Sequence, residues 1–193
     1  MNPQEVLDFW FLPPGAPGHG KPRAAWFRKD ERFDAKIAER FGGAIAQAVA
    51  GGLHEWDREG AQGILARLLV LDQFTRNAFR GTPASFSGDA LALAAATELE
   101  ASGGDRTLTA LQRSFAYMPF EHAEDARMQE KSVALFAELA AANHEDFDSS
   151  LDYAHRHRGV IARFGRFPHR NAILGRASTP EEVEFLRQPG SGF

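Results

Sequence analysis

Apolar residues recur along this chain at helical spacing, and polar punctuation separates the runs. Phe33, Ile37, Phe41, Ile45 and Val49 stand four residues apart, as on one buried face of a 3.6-residue period. Asp30 is placed to cap that helix and Gly51-Gly52 to end it. Before it, Asn2-Pro3 with Glu5 predicts a capped short helix carrying Val6, Leu7 and Trp10. That helix stops before Pro13-Pro14-Gly15. Residues 12–22 hold four Pro and three Gly and read as an ordered loop.

The same reasoning predicts helices over residues 61–74, from Ser87 to Gly103-Gly104, over 107–118 up to Pro119, over 121–142 and over 147–164. Thr179-Pro180-Glu181-Glu182 forms a second capping box and opens a last helix through Leu186. No stretch shows sustained two-residue alternation with β-branched enrichment. The expected class is all-α, a single domain over residues 1–193 with about eight helices in stacked hairpins. No fixed repeat period emerges from the sequence.

Composition narrows this further. The 193 residues include 16 Phe against 2 Tyr and 3 Trp, which points to a phenylalanine-rich core. There is no cysteine, which excludes a disulfide scaffold, a thiolate zinc site and a cysteine nucleophile. No run is apolar enough for a membrane span, and the first residues lack the basic region of a secretory signal. The expectation is a cytoplasmic protein with no membrane partner.

Two predicted helices break their own pattern. Asp72 falls on a leucine stripe, and Arg76 follows it by four residues. A carboxylate there is costly unless paired. It is either a buried structural pair with Arg76, or it orients Arg76 toward a ligand. In the helix over 147–164, Arg158 lies on the stripe of Phe147, Leu151, Ala154 and Ile161, beside His157. Residues 153–177 contain six Arg, three His and no acid, in a chain of net charge −4. Arginine among aromatics can bind nucleic acid, but an acidic protein without a nucleic-acid motif argues against it, and no nucleic-acid partner is expected. The interleaved Phe and Ile turn some arginines inward. There they must meet carboxylates (Asp72, Asp89, Glu121, Glu124 or Asp125), backbone carbonyls or an anionic ligand.

A third cluster is Pro119-Phe120-Glu121-His122-Ala123-Glu124-Asp125, at a predicted helix start. Acidic residues there complement the helix dipole. The functional reading makes Glu121 and His122 a proton-transfer pair. His122 and Asp125 could share a metal at i,i+3 spacing, but no strong ligand motif is present, so neither metal nor cofactor is expected. Arg76-Asn77-Ala78-Phe79 is echoed by Arg170-Asn171-Ala172-Ile173. The plain reading is a reused asparagine C-cap. The sharper one is two helix ends presenting Arg and Asn to a shared cleft.

These segments resemble a family of mainly bacterial proteins of unknown function with a tetratricopeptide-like helical fold. The matching residues are Val6 to Phe11, Leu71 to Pro83 (LDQFTRNAFRGTP), Tyr117 to His122 with Glu124-Asp125, and His157-Arg158 through Arg163 to Asn171 (RFGRFPHRN) and Leu174-Gly175-Arg176. Thr75 stands where the family pattern usually has proline. The resemblance implies a helical superhelix and no known reaction.

Two functions follow as expectations. In the first, Asp72, Arg76, Asn77, Arg80, Arg166, Arg170 and Asn171 bind a small anionic ligand, and Glu121, His122, His157 or His169 move protons. This needs Arg76, His122 and Arg170 to meet in one concave pocket. In the second, the chain is an interaction module for a protein, a peptide or a second copy of itself, and its buried polar residues only fasten helices. No nucleophile elbow, phosphate loop or dinucleotide fingerprint is present, so the residues name a site and no reaction.

Overall fold

The computed structural model describes residues 1–142 and 144–192, with the side chains of residues 144–146 left out of the description. All regular structure among these residues is helical. The chain groups into two compact units. The first holds residues 1–80 and 84–119, the second residues 81–83 and 120–193.

In the first unit, α1 (Pro3–Phe11) begins at the Asn2–Glu5 capping box. Helix α2 (Glu31–Val49) begins where Asp30 accepts from the Arg32 and Phe33 amides. Helix α3 (Ala61–Leu68) runs without a break into a π-helical segment, Leu69–Phe74, and then into α4 (Thr75–Ala78). The expected helix over 61–74 therefore continues four residues further and widens in its middle. A π turn leaves carbonyls without their usual i+4 donors. The Thr75 hydroxyl donates to the Leu71 carbonyl at 2.7 Å and Arg76 Nη1 to the Asp72 carbonyl at 2.9 Å. Gly88 packs directly on this segment, where a Cβ would lie 2.1 Å from the Leu71 carbonyl oxygen. Helix α5 (Asp89–Ala101) follows it.

The core of this unit is aromatic, as the composition implies. Phe9, Phe41 and Phe74 pack at 4.7–5.9 Å between ring centroids, and Trp10, Trp26 and Phe115 at 4.8–5.8 Å. Helix α6 (Ala110–His122) contains Pro119 instead of ending before it. Tyr117 on α6 donates to Asp105 and accepts from Arg113 Nε at 2.9 Å. Its burial and that carboxylate hold the phenol above its ordinary pKa.

In the second unit, α7 (Ala126–Ala142) packs along α8 (His144–Phe164), and α9 (Pro180–Leu186) starts at the Thr179–Glu182 capping box. Asp125 caps α7, accepting from the Arg127 and Met128 amides at 2.8 and 3.1 Å. The predicted helix over 121–142 thus starts five residues later, and Glu121 and His122 occupy the C-terminal end of α6. The helix-dipole reading of Glu121 is overturned, because a carboxylate at a C-terminus faces the negative end. No described helix is long and apolar enough to cross a membrane.

Candidate functional site

The two short polar echoes end up in different settings. Asn77 and Asn171 both have right-handed helical backbone, and the non-glycine residues of positive φ are Leu12 and Leu53 among the described residues. Asn171 does cap the 3₁₀ turn Pro168–Arg170, but in right-handed conformation, whereas Asn77 lies inside α4, so the left-handed cap expected of both is absent. Each is a side-chain donor instead. Asn77 Nδ2 donates to Asp34 at 2.7 Å, and Asn171 Nδ2 donates to Ser178 at 3.0 Å and Glu182 at 3.2 Å.

In the first unit, Asp72, Arg76, Asn77 and Arg80 are all hydrogen-bonded or ion-paired, with Asp34 and Asp89 supplying carboxylates from outside the motif. Arg76 Nη1 lies 3.0 Å from Asp72, and its guanidinium takes both oxygens of Asp89 at 2.8 and 3.1 Å. Gln73 Nε2 donates to Asp72 at 2.5 Å. Arg80 binds Asp34 through two nitrogens at 2.8 and 3.1 Å. Burial works to raise the Asp34 pKa, but Arg80 and Asn77 outweigh it and hold the carboxyl below its ordinary value. A cation flanked by two carboxylates has little charge left for an anionic ligand, so Asp72 and Arg76 form a structural ion pair.

In the second unit, the arginine-rich segment is tied down in the same way. Arg156 donates to the Gly190 carbonyl, Arg158 to Glu130 and Arg163 to Glu181. Arg166 grips Glu182 at 2.7 and 2.8 Å, and Arg176 grips Glu124 at 2.6 and 2.9 Å. Glu124 also accepts from the Phe167 amide at 2.7 Å. Arg166, the Thr179 amide and Asn171 together depress Glu182 to about 2, against its burial. Glu182 was legible only as a capping residue. Its second role joins the RFGRFPHRN loop to α9.

A further polar cluster surrounds Phe167. Glu121 comes from the last turn of α6, His157 from the middle of α8, and His169 and Arg170 from the 3₁₀ turn Pro168–Arg170. His157 Nδ1 lies 2.9 Å from the Tyr153 carbonyl and 3.1 Å from Glu121 Oε1. Both neighbours are acceptors, so Nδ1 carries the ring proton and Nε2 carries the lone pair. The His157 ring stands edge-on to Phe167 at 5.5 Å, and the His122 ring lies 6.4 Å away. The Arg170 guanidinium covers the face of Phe167 at 4.5 Å, with the His169 ring 5.6 Å from it.

Glu121, His157 and Arg170 are each at most 7% exposed. Burial, chiefly, pushes His157 down to about 3, and the His122, Arg170 and His169 charges push the same way. The Tyr153 carbonyl only partly opposes them. The Glu121–His157 contact is accordingly a hydrogen bond from a neutral imidazole to a carboxylate.

Of the predicted residues, then, Glu121, His122, His157, His169 and Arg170 lie together in the second unit. Arg166 and Asn171 meet on Glu182 there, while Asp72, Arg76, Asn77 and Arg80 belong to the first unit. Among the described residues no group of three or more His, Cys, Asp or Glu is arranged to hold a metal ion. A shallow hollow of about 480 Å³ is lined by residues 28–32 of the first unit.

A family model described as a bacterial protein of unknown function (DUF924) matches residues 6–190. A solved structure of a protein of unknown function, ATU0120 from Agrobacterium tumefaciens, is 38% identical. The match covers 95% of this chain and 96% of that one, with a TM-score of 0.82. No curated protein matches.

Proposed function

The chain belongs to this bacterial DUF924 family, and we propose that it binds a small anionic molecule at the Glu121–His157–Arg170 cluster and can move a proton there. One observation carries the reading. Glu121, His157, His169 and Arg170, drawn from α6, α8 and the 3₁₀ turn, close around Phe167, and two acceptors fix His157 Nδ1 as a donor. Titratable groups brought together from separate segments, with one of them strongly shifted as His157 is, are a mark of functional sites. Arg170, flat on Phe167, supplies a fixed positive charge in a low-dielectric setting. Phe167 and Phe120, both fully buried, keep water from the cluster.

The test is a thermal-shift screen with phosphates, nucleotides, dicarboxylates and aromatic acids. A ligand at about 100 times its dissociation constant stabilises the protein by about 2.7 kcal/mol. A saturable hit that is lost in Arg170→Ala and in His157→Gln supports the reading. A hit that survives both places the ligand elsewhere. If Arg170→Ala chiefly unfolds the protein, the arginine is a structural partner.

A second reading, an interaction module of the tetratricopeptide kind, draws on Phe27. That ring is 70% exposed and is followed by Arg28 and Lys29 beside the shallow hollow. Loss of partner capture in Phe27→Ser, with the anion screen flat, favours it.

A further inference from the structure

The proposed site depends on where the last turn of α6 places Glu121, and that turn should not hold itself. Pro119 removes one backbone donor inside the helix. The sequence after it, Glu121-His122-Ala123-Glu124-Asp125, contains no glycine to close the end in a left-handed cap. The final carbonyls therefore need donors from outside. The Ala123 amide reaches the Phe120 carbonyl at 3.3 Å, and Gln129 supplies donors to the carbonyls that follow. Gln129, in the first turn of α7, is fully buried. Its Nε2 donates to the Glu121 carbonyl at 2.7 Å and the Ala123 carbonyl at 2.8 Å, and approaches the Phe120 carbonyl at 3.4 Å.

We infer that Gln129 is the positioning residue of the cluster: by fixing the peptide groups on either side of Glu121 it sets that carboxylate against His157. Resting on the site proposed above, this adds a residue that touches neither the ring nor the carboxylate. The geometry favours it for two reasons. First, His157 is already anchored to its own helix through the Tyr153 carbonyl, so its distance to Glu121 is decided by where the end of α6 lies. Gln129 ties that end to α7, which packs along the helix carrying His157. Second, Gln129 Oε1 is buried with no hydrogen-bond partner among the described residues. A methionine would fill similar volume without burying that oxygen, so what glutamine contributes here is its two N–H donors.

The experiment is Gln129→Met, read on the ligand-free full chain by the ¹⁵N shifts of the His157 ring across a pH titration. The expected result is a shift of the Nδ1 resonance, because one of its two acceptors withdraws while the Tyr153 carbonyl stays. An unchanged ring signature in a variant that is merely less stable overturns the inference and makes Gln129 a structural clamp. If Gln129→Met does not fold, Gln129→Asn keeps the amide but falls one methylene short. It is expected to shift the ring signature in the same direction by less, and no shift overturns the inference equally. The anion screen is run in parallel on the wild type. A flat screen removes the site reading, while the ring signature still decides the role of Gln129.

Discussion

Asp89 meets Arg76 with both carboxylate oxygens, at 2.8 and 3.1 Å, while Asp72 closes on the same guanidinium from its own helix at 3.0 Å. One arginine thus bridges two carboxylates, one of them almost wholly buried. Removing it takes the bridging cation from both. Arg76→Ala is expected to destabilise the protein by about 3–5 kcal/mol. Arg76→Lys, which cannot form the bidentate pair, should recover only part of that. Urea unfolding measures both, and a loss under about 1 kcal/mol for Arg76→Ala would show that the pair is not structural.

The π segment makes a second prediction. Thr75 is fully buried, and its hydroxyl donates to the Leu71 carbonyl in the π segment. Thr75→Val keeps the shape and loses the donor, at an expected cost of about 1–2 kcal/mol. Gly88→Ala drives a methyl group toward the same carbonyl and should cost more than Thr75→Val. If denaturant midpoints place Gly88→Ala at or above wild-type stability, the close approach is absent.

His157 sets a pH dependence. Its folded pKa, about 3, lies below the ordinary imidazole value of 6.5. Above pH 6.5 the ring is neutral whether the chain is folded or not, and the stability is at its full value. Between 6.5 and 3 the unfolded chain takes up a proton that the folded chain refuses, so stability declines as pH falls. In His157→Gln this part of the slope disappears. Stability curves at pH 4, 5, 6 and 7.5 check it, and parallel curves for variant and wild type would refute it.

Glu182 acts in a lower window. Its folded pKa, about 2, lies below the ordinary 4.5, with the Arg166 hydrogen bond as the largest cause. Its contribution is complete above pH 4.5 and is lost as pH drops through 2. Glu182→Gln should flatten the acid limb below pH 4.5 and leave the slope between 4.5 and 6.5 unchanged. Limited proteolysis of the same variant should cut sooner near α9, because Arg166, Asn171 and the Thr179 amide all lose a charged acceptor. Equal cleavage rates would argue that the Phe164–Phe185 contact and the Arg163–Glu181 pair suffice to hold α9.

What the chain revealed by itself was whatever depends on residues within about four positions of one another. The Asn2–Glu5 and Thr179–Glu182 boxes, the Asp30 cap, the apolar stripe of α2 and the all-helical class are of this kind. A cap or a stripe is a local hydrogen bond or a local period, so neighbouring residues suffice to specify it. The polar residues of the cluster could also be singled out, because each interrupts an apolar pattern.

The tertiary structure decided which partner each of them takes. Arg166 is held by Glu182 and Arg176 by Glu124, carboxylates brought to them from other segments. Glu121 looked like the start of a helix because proline normally ends one. It is instead the end of α6, which continues past Pro119 while Gln129 on α7 satisfies its last carbonyls. A side chain's charge and its hydrogen-bonding capacity are written in its residue type. Whether that capacity is spent on the fold or kept for a ligand depends on acceptors and donors far away in the chain, and only folding brings those within 3 Å.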